Sequence, residues 1–162
     1  MTKRLFIYLA AALTGILCAF ILSGVFFITS VMGSGMEPNI DDGNIVLVNK
    51  LAYSSSSPET GDVIAVRNHV YGEEGEGSIL VRRVAAGSGD IVEIKDDIFY
   101  LNGKPYTEYM KEAVHMEDMD KVKLKKDEIF ILSDNRKSSM DSRNQAIGIV
   151  DEKDCMGKVC FK

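Results

Sequence analysis

The hydroxyl best placed for nucleophilic chemistry is Ser34, held between Gly33 and Gly35 just past a long apolar run. An alcohol attacks poorly until a base removes its proton. Lysine serves as that base when burial lowers its pKa. Lys50, Lys104 and Lys137 are the conceivable bases, but nothing in their local sequence buries them. Ser34 is therefore read first as a turn residue between two glycines, with the nucleophile as the alternative. Arg82, Arg83, Asp141 and Arg143 read, from residue type alone, as solvated surface charges, although a carboxylate that meets two guanidiniums can form a bidentate cluster. His69 and His115 read as surface or loop residues. With Cys18, Cys155 and Cys160 they give no metal-ligand spacing, so no metal and no cofactor is expected. Cys155 and Cys160, with Met156-Gly157 able to turn the chain between them, are either a disulfide or small thiols that pack as hydrophobes.

The elements that must position these groups begin with an anchor. Lys3 and Arg4 precede residues 5–31, which carry no charge; the next charge is Glu37. A bilayer core of roughly 30 Å takes about 20 helical residues to cross, so the run is long enough. A cleaved signal peptide is the alternative, but its apolar region is shorter, about 7–15 residues. Cys18 follows Gly15-Ile16-Leu17, without the small residue that a lipoprotein site needs just before its cysteine. Two cations on the short N-terminal side favour leaving residues 1–4 in the cytoplasm and residues 33–162 outside, on a single-pass membrane protein. All 24 acidic residues lie beyond Met36, and the net charge of −5 becomes −7 once Lys3 and Arg4 are set aside. So acidic an outer part excludes the basic face of a nucleic-acid binder. A hydrophobic content of 46% with 27% charged residues indicates a folded chain.

Beyond the anchor the pattern is that of short strands. Ile45-Val46-Leu47-Val48, Asp62-Val63-Ile64-Ala65-Val66, Ile79-Leu80-Val81, Ile91-Val92-Glu93-Ile94, Ile98-Phe99-Tyr100-Leu101, Ile129-Phe130-Ile131-Leu132, Ile147-Gly148-Ile149-Val150 and Lys158-Val159-Cys160-Phe161 are apolar runs of strand length. Asp96-Asp97 and Asn102-Gly103 stand where hairpin turns are wanted. Gly72-Glu73-Glu74-Gly75-Glu76-Gly77 reads as an acidic loop, and the Met-rich stretch 109–119 as loop or groove lining. The fold class is mainly β: an N-terminal transmembrane helix followed by an all-β outer domain.

Several segments resemble, in order, the boxes of type I signal peptidases. Gly33-Ser34-Gly35-Met36-Glu37-Pro38 is similar to that family's Gly-x-Ser-Met-x-Pro, and Gly61-Asp62-Val63-Ile64 follows. Val81-Arg82-Arg83-Val84 with Gly89-Asp90 resembles its Lys-Arg-Val box. Leu101-Asn102-Gly103-Lys104-Pro105 resembles its small hairpin. Residues 133–143, Ser133-Asp134-Asn135-Arg136-Lys137-Ser138-Ser139-Met140-Asp141-Ser142-Arg143, resemble its Gly-Asp-Asn-Arg and Ser-x-Asp-Ser-Arg. The resemblance implies a Ser/Lys dyad, yet its nucleophile position is Gly35 and its base position Arg82. Glycine has no side chain, and arginine is not deprotonated in proteins. Some relatives place histidine at the base position, but neither His69 nor His115 matches it.

The resemblance further implies that Arg83, Asp141 and Arg143 form a structural charge network and that Ser139 matches the serine orienting the lysine. Gly33, Ser34, Met36, Leu80 and Val81 would lie along an extended peptide substrate. Arg82 is expected to pair with Asp141 or to lie in the former substrate groove, between residues 33–36 and 139–143. The expected partners are the membrane and an extended peptide or precursor protein. In its missing dyad and short length the chain resembles the signal-peptidase-like pilus assembly proteins of Gram-positive bacteria, which implies a pilin as the precursor. The alternative is an active signal peptidase with Ser34 as a displaced nucleophile. A third class, the wider Ser/Lys β-fold group with its self-cleaving repressors, is disfavoured by the spanning segment.

Overall fold

In the computed structural model, residues 2–70, 78–109, 114–138 and 140–161 are described. The acidic loop expected at 72–77 and Ser139 lie outside the described residues, as do residues 110–113 of the Met-rich stretch.

Helix α1, Thr2–Val25, opens the chain. Within Lys3–Val25 the most apolar 18-residue window has a mean hydropathy of 2.5, and none of that window is buried in the protein. At 1.5 Å per residue, 24 residues span about 36 Å, enough to cross a bilayer core. The apolar run expected as one anchor over 5–31 is in fact divided. Its last part, Phe26–Ser30, is strand β1, paired antiparallel with β2, Ile45–Asn49, from Phe26 opposite Asn49 to Ser30 opposite Ile45. The physical reason lies in residue type. After Gly24 the aromatic and β-branched Val25, Phe26, Phe27, Ile28 and Thr29 fit a pleated surface better than a helix. Lys50 closes the junction: its N–H donates to Val25 O at 2.8 Å and its Nζ to Ser23 O at 2.7 Å. A cation thus satisfies a carbonyl left open at the helix end.

The other strands are β3 Val63–Asn68, β4 Ser78–Ala86, β5 Ile91–Lys95, β6 Ile98–Leu101, β7 Lys104–Pro105, β8 Met119–Lys123, β9 Glu128–Leu132, β10 Val150–Asp151 and β11 Cys155–Phe161. They form a seven-stranded sheet, ordered β1-β2-β11-β3-β4-β9-β10, and a four-stranded sheet, ordered β7-β6-β5-β8. Both expected hairpin turns are present. Asp96 and Asp97 have φ of 51° and 65°, Asn102 and Gly103 of 53° and 77°. Each pair links strands whose facing residues, Lys95 with Ile98 and Leu101 with Lys104, leave a two-residue loop. Positive φ at both central residues is the type I′ turn that matches strand twist.

Three expectations are corrected. Met156-Gly157 does not turn the chain; both residues lie inside β11, where pairing with β3 shifts register between Cys155 and Gly157. A Cβ on Gly157 would stand 2.3 Å from Asn49 O, so only glycine lets the bulged strand approach β2. Of the run 147–150 only Val150 is in a strand. Part of the Met-rich stretch expected as loop begins β8, because Met119 pairs with Ile94.

Among the described residues the core falls into three buried clusters, one of them formed by Ile64, Val66, Val84, Ile129, Ile131 and Val150. Val31, Met36, Ile40, Val46, Val48, Ala65 and Val81 form a second, beside the anchor. Ala85, Val92, Ile94, Phe99, Leu124, Phe130 and Leu132 form another, joining the two sheets, with Phe99 stacked on Phe130 at 5.5 Å.

Candidate functional site

The candidate site is built on β4, the strand between β3 and β9. Register places Arg82 opposite Ile64, and Arg83 between Val63 and Leu132. Neighbouring positions on a strand send side chains to opposite faces, and the two guanidiniums diverge accordingly. Because Leu132 faces Arg83, the residue two places beyond it, Asp134, falls within reach as β9 ends. Arg83 donates Nε to Asp134 Oδ1 at 2.7 Å, Nη2 to Oδ2 at 2.6 Å, and Nη1 to Gly61 O at 2.7 Å. The Tyr109 ring lies 3.7 Å from its central carbon. Burial alone would lower the pKa of Arg83, but Asp134 outweighs it and the net direction is upward.

Asp141, fully buried, is held by Arg143 through Nε to Oδ1 at 2.9 Å and Nη2 to Oδ2 at 2.7 Å. It also accepts the Ser133 N–H at 2.9 Å. Arg143 continues to Arg136 O at 2.8 Å and to Ser138 O. Sequence reasoning joined Arg83, Asp141 and Arg143 in one network; the structure corrects this to two bidentate pairs, Arg83 with Asp134 and Asp141 with Arg143. Asp134 was missed as a partner although it follows a strand directly, which was the available signal.

Gly35 sits in the 3-10 turn Ser34–Met36. That turn is tied to the segment after β9 by the Asn135 N–H to Gly35 O at 3.0 Å and by Asn135 Nδ2 to Ser34 O at 3.1 Å. Arg82, 2% exposed, donates Nε to Met140 O and Nη1 to Val81 O, both at 2.6 Å. Its guanidinium ends against Gly35. A Cβ built there would be 3.0 Å from Arg82 Cζ and Nη2 and 3.1 Å from Nη1. Arg82 thus lies between 33–36 and 140–143 as expected, yet is bonded to main-chain carbonyls and not to Asp141. Burial pulls its pKa down, with Asp141 opposing.

The possible substitutes are scattered. Ser34 is exposed, and so are Lys50, Lys104 and Lys137. The Gly33 N–H donates to Asp42 Oδ1 at 2.7 Å. Met36, Leu80 and Val81 are 0%, 6% and 2% exposed, so these three expected peptide contacts belong to the interior, main chain included. His69 pairs with Asp154 at 3.1 Å and His115 with Asp97 at 2.8 Å, both at the surface. Cys155 and Cys160 are free thiols on one strand, and burial pushes Cys155 up to about 11.

A β-sheet domain carried on an apolar N-terminal helix, with paired charges framing a buried turn, defines the class: the framework of an anchored peptidase. The chain belongs to the family described as "Signal peptidase, peptidase S26", which matches residues 3–162. It is similar to the signal peptidase IB of Staphylococcus aureus strain Mu50, with 31% identity across all of this chain and 91% of that protein. It is also similar to signal peptidase I P of Bacillus subtilis subsp. natto, with 33% identity across 78% of this chain and 71% of that one. A solved signal peptidase I from Enterococcus faecalis V583 shares the fold, with a TM-score of 0.51 and 23% identity over 65% of this chain and 98% of that chain.

Proposed function

We propose that this chain is a catalytically silent signal peptidase homologue that binds an extended precursor peptide without cutting it. It would be anchored by residues 2–25, with its N-terminus in the cytoplasm and the β domain outside. The observation that carries this reading is the Arg82 guanidinium packed 3.0 Å from the missing Cβ of Gly35. Nucleophile and base positions have become complementary to each other, leaving no hydroxyl and no deprotonatable amine there. Ser34 and the three lysines are all exposed, without the burial that lowers a lysine pKa enough to make it a base. Peptide binding does not need the nucleophile. β9 pairs with β4 only over Arg83, Val84 and Ala86, and of the residues before them Ser78 and Ile79 are half-buried, so that stretch offers an edge on which an extended peptide can add. The likeness to dyad-lacking pilus proteins makes a pilin the precursor of first choice.

The test is cleavage of a signal-peptide-bearing precursor by the full chain in lipid nanodiscs, beside the double variant Gly35→Ser, Arg82→Lys. The wild type is expected to give no turnover, and the double variant to gain it. Wild-type turnover that Ser34→Ala abolishes would instead establish an active peptidase with a displaced nucleophile. Photo-crosslinking from residue 79 in nanodiscs containing pilin and non-pilin precursors tests the binding role; absence of any precursor adduct overturns it.

A further inference from the structure

Arg136 follows Asp134 and Asn135 in the turn after β9, and its side chain is 5% exposed. Its Nε and Nη1 are buried with no hydrogen-bond partner among the described residues. A guanidinium keeps its charge, so burying it without an acceptor is costly unless something arrives to accept. The surrounding charges do not supply that acceptor. Four guanidiniums, those of Arg82, Arg83, Arg136 and Arg143, stand around two buried carboxylates, and Asp134 and Asp141 are already taken bidentately by Arg83 and Arg143. Burial first, then the Arg143 charge, hold Arg136 down at about 10, against the pull of Asp141 and Asp134. The cluster carries a surplus of positive charge: Arg82 and Arg136 both lack a carboxylate, but Arg82 is bonded to main-chain carbonyls, whereas Arg136 Nε and Nη1 have no partner among the described residues.

Arg136 opens on a cleft of about 890 Å³ whose wall includes Ile94, Met116, Phe130 and Ile149, with Arg143 beside it. Gly35 and Arg82 are not part of that wall, although Arg143 belongs to both. Alongside the apolar side chains stand Arg136, the exposed Lys137 and polar groups such as Asn144 and Gln145, and apolar walls with a few convergent polar groups are the usual make-up of a small-ligand site. Glu117 and Asp118 at its exposed rim disfavour a second negative charge on the ligand. We propose that this cleft binds a single carboxylate on an apolar body, the chemistry of a peptide chain end with an aliphatic last residue. Arg136 donates to the carboxylate, and Ile94, Met116, Phe130 and Ile149 cover the side chain.

The probes are N-acetyl-leucine, N-acetyl-leucinamide and inorganic phosphate, added to the full chain in detergent micelles with ¹⁵N-labelled arginine. The Arg136 Nε resonance is assigned by its loss in Arg136→Lys. N-acetyl-leucine is expected to shift that resonance and raise the melting temperature, while the amide does neither. Arg136→Gln should weaken binding by about tenfold or more, as loss of a charge-assisted hydrogen bond implies. Because that variant disturbs a buried cluster, Ile149→Asp, at a 39% exposed position, is the second test and should also weaken binding. No response to N-acetyl-leucine, an equal response to the amide, a stronger response to phosphate, or unchanged binding by Ile149→Asp each overturns the proposal. None of these readouts depends on whether the Gly35 and Arg82 positions are silent.

Discussion

Arg82 and Arg83 are neighbours on one strand, both buried, and solved in opposite ways. Arg83 meets a carboxylate edge to edge, a carbonyl and an aromatic face, and its charge is fully answered. Arg82 meets two main-chain carbonyls and the bare α-carbon of Gly35. One guanidinium is held by charge complementarity, the other by shape. The face of β4 that carries Arg83 is held by electrostatics, and the face that carries Arg82 is filled by volume.

The largest effect should come from breaking the charge-matched side. Asp134→Ala leaves Arg83 buried without its carboxylate, and losing one partner of a buried pair costs about 3–5 kcal/mol. Chemical denaturation of the full chain in micelles reads this directly. A loss under about 1 kcal/mol, the range of exposed pairs, would mean that Arg83 is held by Gly61 and Tyr109 instead and that the contrast with Arg82 is false.

On the shape-matched side, Gly35→Ser pushes a side chain into a guanidinium pinned at both Met140 and Val81. Overpacking of this kind costs typically ~1–3 kcal/mol. Arg82→Lys in the same chain should recover part of it, and the two changes should be coupled by ~0.5–3 kcal/mol in a double-mutant cycle. Additive changes would refute the complementarity. Arg82→Met alone should be close to neutral in stability, since an apolar side chain of similar length replaces a charge with no carboxylate bonded to it. Arg83→Met, which orphans Asp134, should not be neutral. Equal costs for these two variants would erase the distinction between the neighbours.

Local signals in the sequence foretold much of this and failed at identifiable places. The hairpins were legible because Asp96-Asp97 and Asn102-Gly103 carry their backbone requirement in residue type. The vacancy was legible because Gly35 and Arg82 differ in kind from a hydroxyl and an amine. The end of the anchor was not, since Phe26 to Ser30 are as apolar as the helix before them and hydropathy does not distinguish the two. Strand β8 was hidden for the opposite reason: Asp120, Lys121 and Lys123 make it polar, and only pairing with β5 defines it. The partner of Arg83 was misassigned because Asp134 and Asp141 lie seven residues apart in one charged segment, and register alone decides which of them arrives.

A third carboxylate tests the contrast at its weakest point. Asp62, at the start of β3, accepts from Tyr53 Oη at 2.8 Å and lies against Lys158, whose side chain is 44% exposed. Burial opposes ionisation of Asp62, but the hydrogen bonds from Lys158 and Tyr53 outweigh it and hold its pKa below the usual carboxylate value. A folded value below the unfolded one gives stability that is present above the ordinary carboxylate range and is lost as pH falls through the folded value. Asp62→Asn should therefore cost little at neutral pH, under about 1 kcal/mol for a pair this close to water, and should flatten the acid limb of the melting-temperature profile. An acid limb as steep as in the wild type would mean that Asp62 carries none of the pH sensitivity and would refute its assignment as the acid-labile contact.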